Sequence, residues 1–192
     1  MSAAVTVPTI APAVAEALAP HRRAYGESPL PHVEVPGAVS PALAAAVREA
    51  LADRAFEAFE LAPRGRYERS TDPPDAALAA TLAGVASYLA DTPLTVIGSV
   101  WLRARRGSYA LLRDDAPPPG AVAELVVDLS ERAVGEGQLI YTHRGAPYFV
   151  ATQAPGSLSL VARGRTVQRY LRFVTHRAGD ATLLRLVLWL GG

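Results

Sequence analysis

The sequence predicts an α+β protein with a β-rich core built as a sandwich, a barrel or a jelly roll. Helical patterns come early in the chain, and from about residue 94 the hydrophobic period shortens to two. From there to the C terminus, eight short β-rich segments follow one another, separated by glycine and proline. Such a series favours an antiparallel β-fold over a parallel sheet interleaved with helices.

Composition indicates one domain with a sizeable core. The chain has 192 residues, of which 50% are hydrophobic, and it has no cysteine, which excludes disulfides and thiolate metal sites. All 19 basic residues are arginine, and lysine and asparagine are missing, a bias typical of a GC-rich bacterial genome. With 18 acidic residues the formal net charge is +1, so the chain has no general attraction to nucleic acid.

No segment has the pattern of a signal peptide or a membrane span. The first twenty residues lack a basic start and are broken by three prolines. The apolar run at 181–192 is too short to cross a bilayer and contains Arg185. We expect a cytoplasmic protein with neither a membrane nor a nucleic acid as partner.

The early elements are, in order, a helix over 11–25, a strand at 32–37, a helix over 40–53, a polar segment over 54–75 with one more strand or irregular structure, and a helix over 75–91. Ser40 is a plausible N-cap with Pro41 at the first helical position. The β-rich segments lie at 94–105, 107–115, 121–130, 137–144, 145–152, 156–163, 166–177 and 181–190. We divide the chain into an N-terminal extension with a short helix, 1–28, and a single domain, 29–192.

Five phrases carry a resemblance to a known family. They are SPLPHVEVPGAVSPALAAAVREAL, RGSYALLRDD, AELVVDLSERAVGEGQLIY, APGSLSLVARGRTVQRYLRFV and RLVLWL. In this order they resemble the 2-oxoglutarate and Fe(II)-dependent oxygenases, prolyl-hydroxylase-like branch, over roughly residues 29 to 190. The resemblance implies a double-stranded β-helix, or jelly roll, with the N-terminal helices packed on one sheet.

The same resemblance places Arg113, Asp115 and Gln168 where those oxygenases carry a His-x-Asp pair and a distal histidine. Two residues that are two apart on a strand share a face, which lets both reach one ion. A guanidinium cannot ligate a metal, and an amide oxygen is a poor ligand for Fe(II) beside imidazole. We interpret the motif as a lost iron site in which Arg113 pairs with Asp115. Asp115 is a metal ligand only if a metal is retained.

The resemblance also implies an anion pocket. Arg185 falls where such proteins hold the distal carboxylate of 2-oxoglutarate, and Arg177 is the competing candidate. Tyr141 and Tyr109 are expected to line the same cavity, or to be core residues with a hydroxyl at the rim. The candidate catalytic set is Arg113, Asp115 and Tyr109, and the candidate cofactor-binding set is Arg185, Gln168 and Tyr141.

The remaining charged candidates have plainer interpretations. His143 and His176 each stand beside an arginine at a strand end, as exposed turn residues do, although either offers a way to rebuild a metal site with Asp115. We expect His32 to fix the N-terminal strand. Asp114 and Glu124 are interpreted as surface charges.

We predict a non-catalytic protein of this fold, without a cofactor, that binds a small anionic molecule or a protein partner. Two alternatives stay open. One is an active enzyme, either a hydroxylase that uses Fe(II) and 2-oxoglutarate through other ligands, or a metal-free catalyst. The other is a structural or assembly role, for example as a homodimer.

Overall fold

The computed structural model describes residues 11–62, 64–111, 116–151 and 154–192. Its α-helices are α1 (Pro12–Glu27), α2 (Pro41–Ala50) and α3 (Ala76–Ala90). Its strands are β1 (His32–Val35), β2 (Glu57–Leu61), β3 (Gly65–Ser70), β4 (Thr95–Ala104), β5 (Tyr109–Ala110), β6 (Ala123–Asp128), β7 (Leu139–His143), β8 (Ala146–Ala151), β9 (Leu158–Ala162), β10 (Val167–Leu171) and β11 (Leu183–Gly191). Each of the eight predicted β-rich segments contains one of the strands β4 to β11.

The helices begin where side chains satisfy their free amide groups. Ser40 accepts a hydrogen bond from the backbone N–H of Leu43 and caps α2, as the sequence predicts. Asp75 caps α3 in the same way, and α3 ends at Asp91, whose φ of 53° is left-handed. Helix α1 packs on α3, where the Tyr88 hydroxyl donates to a carbonyl of α1. In the part of the chain that the structure describes, no helix is long and apolar enough to cross a membrane.

The strands form one curved antiparallel sheet that nearly closes on itself. Among the described residues its order is β1-β9-β6-β11-β4-β3-β5-β10-β7-β8, and β2 pairs with β3. The two ends of this order meet where the His32 ring on β1 contacts Tyr148 and Phe149 on β8, with ring centroids 5.4 and 4.6 Å apart. His32 therefore holds β1 at the seam of the barrel. This is the jelly-roll architecture that the sequence predicts.

Strand β11 lies at the centre of the sheet, between β4 and β6, and is buried along almost its whole length. Its even-numbered residues, such as Leu186 and Leu188, belong to the hydrophobic cluster that packs against α3. Its odd-numbered residues, such as Leu183 and Val187, belong to a second cluster inside the barrel. The alternation follows from the period of two in a strand. Full burial of each leucine contributes on the order of 2 kcal/mol to folding.

The polar segment at 54–75 forms a hairpin of two strands, β2 and β3, rather than one strand. Strand β2 is largely exposed, and the two buried residues of β3 are Gly65 and Ser70, so the hairpin lacks the apolar alternation from which strands are predicted. Charged cross-strand pairs hold it instead, with Glu57 opposite Arg69 and Glu60 opposite Arg66. The Nε of Arg66 lies 3.7 Å from the Glu60 carboxylate.

A glycine fixes the loop before β9 against the loop that joins β1 to α2. Gly156 has φ +80°, and its carbonyl accepts a hydrogen bond of 2.9 Å from the N–H of Val39. A Cβ at Gly156 would overlap the Val39 carbonyl oxygen. We expect Gly156→Ala to lower the free energy of unfolding by about 2 kcal/mol or more, because strain and overlap add.

Chemical denaturation measures this change, and Gly164→Ala is the matched control. A Cβ at Gly164 meets no atom within 4 Å. The contact of Gly156 with Val39 is not a constraint on the fold if both variants unfold at the same denaturant concentration.

Candidate functional site

The interior of the barrel contains buried charges, although it is otherwise apolar. Strand alternation points Glu124 and Asp128 of β6 inward, because Leu125 and Val127 between them belong to the outer cluster. Arg163, Arg169 and Arg185 come inward from the neighbouring strands or strand ends. Their side chains are 1%, 11% and 4% exposed. Charges this deeply buried require partners within the protein.

Glu124 is the centre of one group of these charges. Its Oε1 accepts a hydrogen bond of 2.6 Å from the Tyr141 hydroxyl and one of 2.7 Å from Nη1 of Arg169. Its Oε2 lies 3.8 Å from Nη1 of Arg163. The prediction that Glu124 is a surface charge is therefore wrong. Glu124 is fully buried, because its position on β6 faces the barrel.

Tyr141 is fully buried beside this carboxylate. Burial raises the pKa of the Tyr141 phenol well above its ordinary value, and the negative charge of Glu124 raises it further. The phenol therefore remains protonated and donates to Glu124. The Arg163 guanidinium also lies over the Tyr141 ring, 5.9 Å from its centroid.

Asp128 and Arg185 form a second pair. They stand directly opposite each other on β6 and β11, and Nε of Arg185 lies 3.4 Å from Oδ2 of Asp128. Oδ1 of Asp128 accepts a hydrogen bond from the N–H of Ser130. Burial lowers the pKa of the Arg185 guanidinium, and the Asp128 charge opposes that shift. A guanidinium remains protonated all the same.

A small cavity lies beside Arg185. It has a volume of about 40 Å³, room for roughly three water molecules. Arg169 and Arg185 line it together with apolar side chains such as Leu102, Leu139 and Leu183. Nη2 of Arg185 is buried and has no hydrogen-bond partner among the described residues. The cavity therefore has one unused donor and space for a small anion or water.

The structure brings together only part of the predicted site. Arg113, Asp114 and Asp115 lie outside the described residues. Arg185 points into the barrel and lines the cavity, whereas Arg177 is exposed in a short 3-10 helix.

Three further predicted residues lie outside the cavity that the described residues form, and one of them is Tyr141, whose hydroxyl contacts Glu124 instead. Gln168 is exposed, and Arg169 beside it is the residue that reaches the interior. Gln168 and Arg169 are both polar, so the sequence did not show which of them faces inward. Tyr109 packs beside Phe173, with ring centroids 6.1 Å apart, while its neighbour Ala110 lines the cavity.

The described residues do not offer the ligand set that Fe(II) uses in oxygenases, which is two imidazoles and one carboxylate. All the histidines are described, and they lie on α1 (His21), on β1 (His32), at the end of β7 (His143) and in the 3-10 helix (His176). None of them lines the interior cavity. No cluster of three metal-ligating side chains occurs among the described residues.

Solved structures with the same architecture are 2-oxoglutarate and Fe(II)-dependent oxygenases. An oxidoreductase of the 2OG-Fe(II) oxygenase family from Burkholderia pseudomallei superposes with a TM-score of 0.66 at 15% identity, over 91% of this chain and 90% of its own. A prolyl-4-hydroxylase from Pseudomonas putida superposes with a TM-score of 0.63 at 15% identity, over 91% and 98%. This chain has the oxygenase fold.

The viral collagen prolyl hydroxylase of Paramecium Bursaria Chlorella virus-1 has the same oxygenase fold, with a TM-score of 0.62 at 12% identity over 83% of this chain and 94% of its own. The fold that the five phrases predict is thus confirmed. No family model matches the sequence, and no curated protein matches it.

The main residues that sequence reasoning missed are the two carboxylates of β6. The segment AELVVDLS is apolar apart from Glu124, Asp128 and Ser130, which are two or four residues apart. In a strand, that spacing places all three on one face. Because Leu125, Val127 and Leu129 alternate with them, the pattern is that of a strand with one face on a core and the other in solvent, so it does not signal that the charged face is buried.

We expect Glu124→Gln to lower the free energy of unfolding by about 3–5 kcal/mol, because it leaves buried guanidinium groups without their shared carboxylate. Urea denaturation at neutral pH measures this loss. Glu49→Gln, at an exposed position on α2, is the control and should change stability by less than about 0.5 kcal/mol. Equal small effects in both variants would contradict the network around Glu124.

Proposed function

We propose that this oxygenase-fold protein has lost the iron site and acts as a non-catalytic binding or accessory protein, taking a small anionic molecule in the barrel. The observation that carries the proposal is the identity of the inward residues of β10, which are Val167, Arg169 and Leu171. Strand β10 contains the position at which the sequence resemblance implies the distal iron-binding histidine. None of these three residues is a ligand for Fe(II).

The partner of Arg185 supports the same proposal. In the oxygenases that the sequence resembles, an arginine at this position is expected to hold a carboxylate of 2-oxoglutarate. Here Asp128, a residue of the chain itself, supplies a carboxylate 3.4 Å away. The cavity of about 40 Å³ is also well below the roughly 300 Å³ of ordinary ligand pockets, so it suits a smaller anion than a five-carbon dicarboxylate.

The competing function is an active oxygenase. The structural neighbours support it only through the similarity of their fold. An iron site would then require Asp115 together with metal ligands at positions other than the inward residues of β10. His143 is the most available histidine, because it follows Tyr141 by two residues on β7 and is half-buried.

Protein purified without chelators tests the proposal through its iron content and through succinate formation from 2-oxoglutarate. We expect substoichiometric iron and no succinate above a no-protein blank. The prolyl-4-hydroxylase from Pseudomonas putida is a positive control for the assay. Tight stoichiometric iron would overturn the proposal, as would succinate formation that disappears in Asp115→Ala. The His143→Ala, His176→Ala double variant then shows whether relocated histidines hold the metal.

A rescue experiment tests the anion pocket without assuming a natural ligand. Asp128→Ala removes the carboxylate that neutralises Arg185 and should lower the free energy of unfolding by about 3–5 kcal/mol. Formate fits a site of this size and carries the missing charge. We expect sodium formate to raise the melting temperature of this variant more than sodium chloride does at equal ionic strength.

The control for the rescue is Glu60→Ala, which removes the carboxylate of an exposed surface pair with Arg66. Surface pairs of this kind contribute little to stability, so formate and chloride should act alike on it. No difference between the two salts in Asp128→Ala would show that Arg185 does not accept an external anion.

A further inference from the structure

A second concave site lies on the opposite face of the sheet from the barrel cavity. We call it the α2 groove and define it by Arg48, Leu51, Phe56, Arg105, Arg132 and Leu184. Leu51 and Leu184 belong to the outer hydrophobic cluster, whereas Arg185 next to Leu184 points into the barrel. The two sites are therefore separated by the sheet.

The α2 groove has the size of an ordinary ligand pocket. Its volume is about 320 Å³, against about 40 Å³ for the barrel cavity. Pockets that hold small organic molecules start at roughly 300 Å³. Its floor is apolar, formed by Leu51, Phe56 and Leu184, and arginines from separate segments of the chain stand around it.

Arg48 has a charge that no close carboxylate neutralises. Its Nη1 donates a hydrogen bond of 3.1 Å to the Leu129 carbonyl, which is a neutral acceptor. Among the described residues it forms no ion pair within 4.0 Å. The backbone hydrogen bond holds the guanidinium at the edge of the groove.

The other arginines of the groove are only loosely neutralised. Nε of Arg105 lies 4.0 Å from Glu68, whose carboxylate already pairs with Arg103 at 2.5 Å. Arg132 pairs with Asp180 at the surface, where both side chains are largely exposed. Exposed pairs contribute little and exchange partners readily.

The charges around the α2 groove favour an anion. Four guanidinium groups line it, from Arg48, Arg103, Arg105 and Arg132, against the carboxylates of Glu131 and Asp180. Counting Glu68 as well leaves four positive and three negative charges. The lining therefore has an excess of one positive charge, which matches the charge of a monoanion.

From these contacts we propose that the α2 groove binds a small organic anion, in which a phosphate or carboxylate group meets Arg48 and Arg105 and a short apolar body covers Leu51, Phe56 and Leu184. Charge-assisted hydrogen bonds from guanidinium groups recognise both kinds of head group. The apolar floor distinguishes an organic anion from an inorganic one, because only the former removes that floor from water.

Isothermal titration calorimetry of the full chain at low salt tests the site with phenyl phosphate, benzoate and inorganic phosphate. We expect phenyl phosphate or benzoate to bind, more tightly than inorganic phosphate and more weakly as salt is added. Arg48→Gln and Arg105→Gln should each weaken binding about tenfold, since each removes a charge-assisted hydrogen bond. Arg23→Gln, an exposed arginine on α1, should leave it unchanged.

The pattern of binding among the three probes identifies the head group that the α2 groove recognises. Binding of phenyl phosphate alone identifies phosphate esters, and binding of benzoate alone identifies carboxylates. The proposal is overturned if neither binds at millimolar concentration, if inorganic phosphate binds equally well, or if Arg48→Gln and Arg105→Gln bind as the unaltered chain does. Arg48→Gln changes the α2 groove and leaves the residues that line the barrel cavity in place, so a loss of binding in this variant reports on the groove and not on the cavity beside Arg185.

Discussion

A charge inside a β-barrel has to be matched by another group of the protein, because the water that would solvate it is excluded. The interior of this barrel meets that requirement with residues from adjacent strands. Strand β6 supplies Glu124 and Asp128, and its neighbours β9 and β11 supply Arg163 and Arg185. Arg169 reaches Glu124 from β10, on the other side of the barrel. The Arg169–Glu124 pair and the Tyr141–Glu124 hydrogen bond cross from one side of the jelly roll to the other and tie its two sides together.

The same pairing of charges limits the ability of the barrel interior to bind a ligand. Here two of the inward side chains are carboxylates that already occupy the guanidinium groups, and the remaining cavity is small. The α2 groove, which is larger than this cavity, lies outside the barrel.

The sequence predicts the fold well and the site only in part, for one physical reason. Register is specified where one face of a strand is apolar and the other is not. In β11, leucines at alternate positions belong to the outer cluster, so Arg185 between them faces the interior. In β10, Gln168 and Arg169 are adjacent and both polar, so a slip of one residue leaves the pattern unchanged. The β2–β3 hairpin has no apolar face to predict it.

The buried charges of β6 contribute more to register than to stability. Desolvation offsets much of the attraction within a buried ion pair, so an apolar interior of the same volume would be about as stable. A slip of β6 by one residue has a different cost. It would carry Glu124 and Asp128 to the face that packs against α3, where the described neighbours are leucine and alanine, and would leave the inward guanidinium groups without carboxylates. The observed register of β6 between β9 and β11 avoids both penalties, and a slip of two residues would instead move Asp128 away from its position opposite Arg185. The ion pairs therefore fix the position of Asp128 opposite Arg185. That position determines which N–H groups of the Arg185 guanidinium pair with Asp128 and which are left to bind another anion.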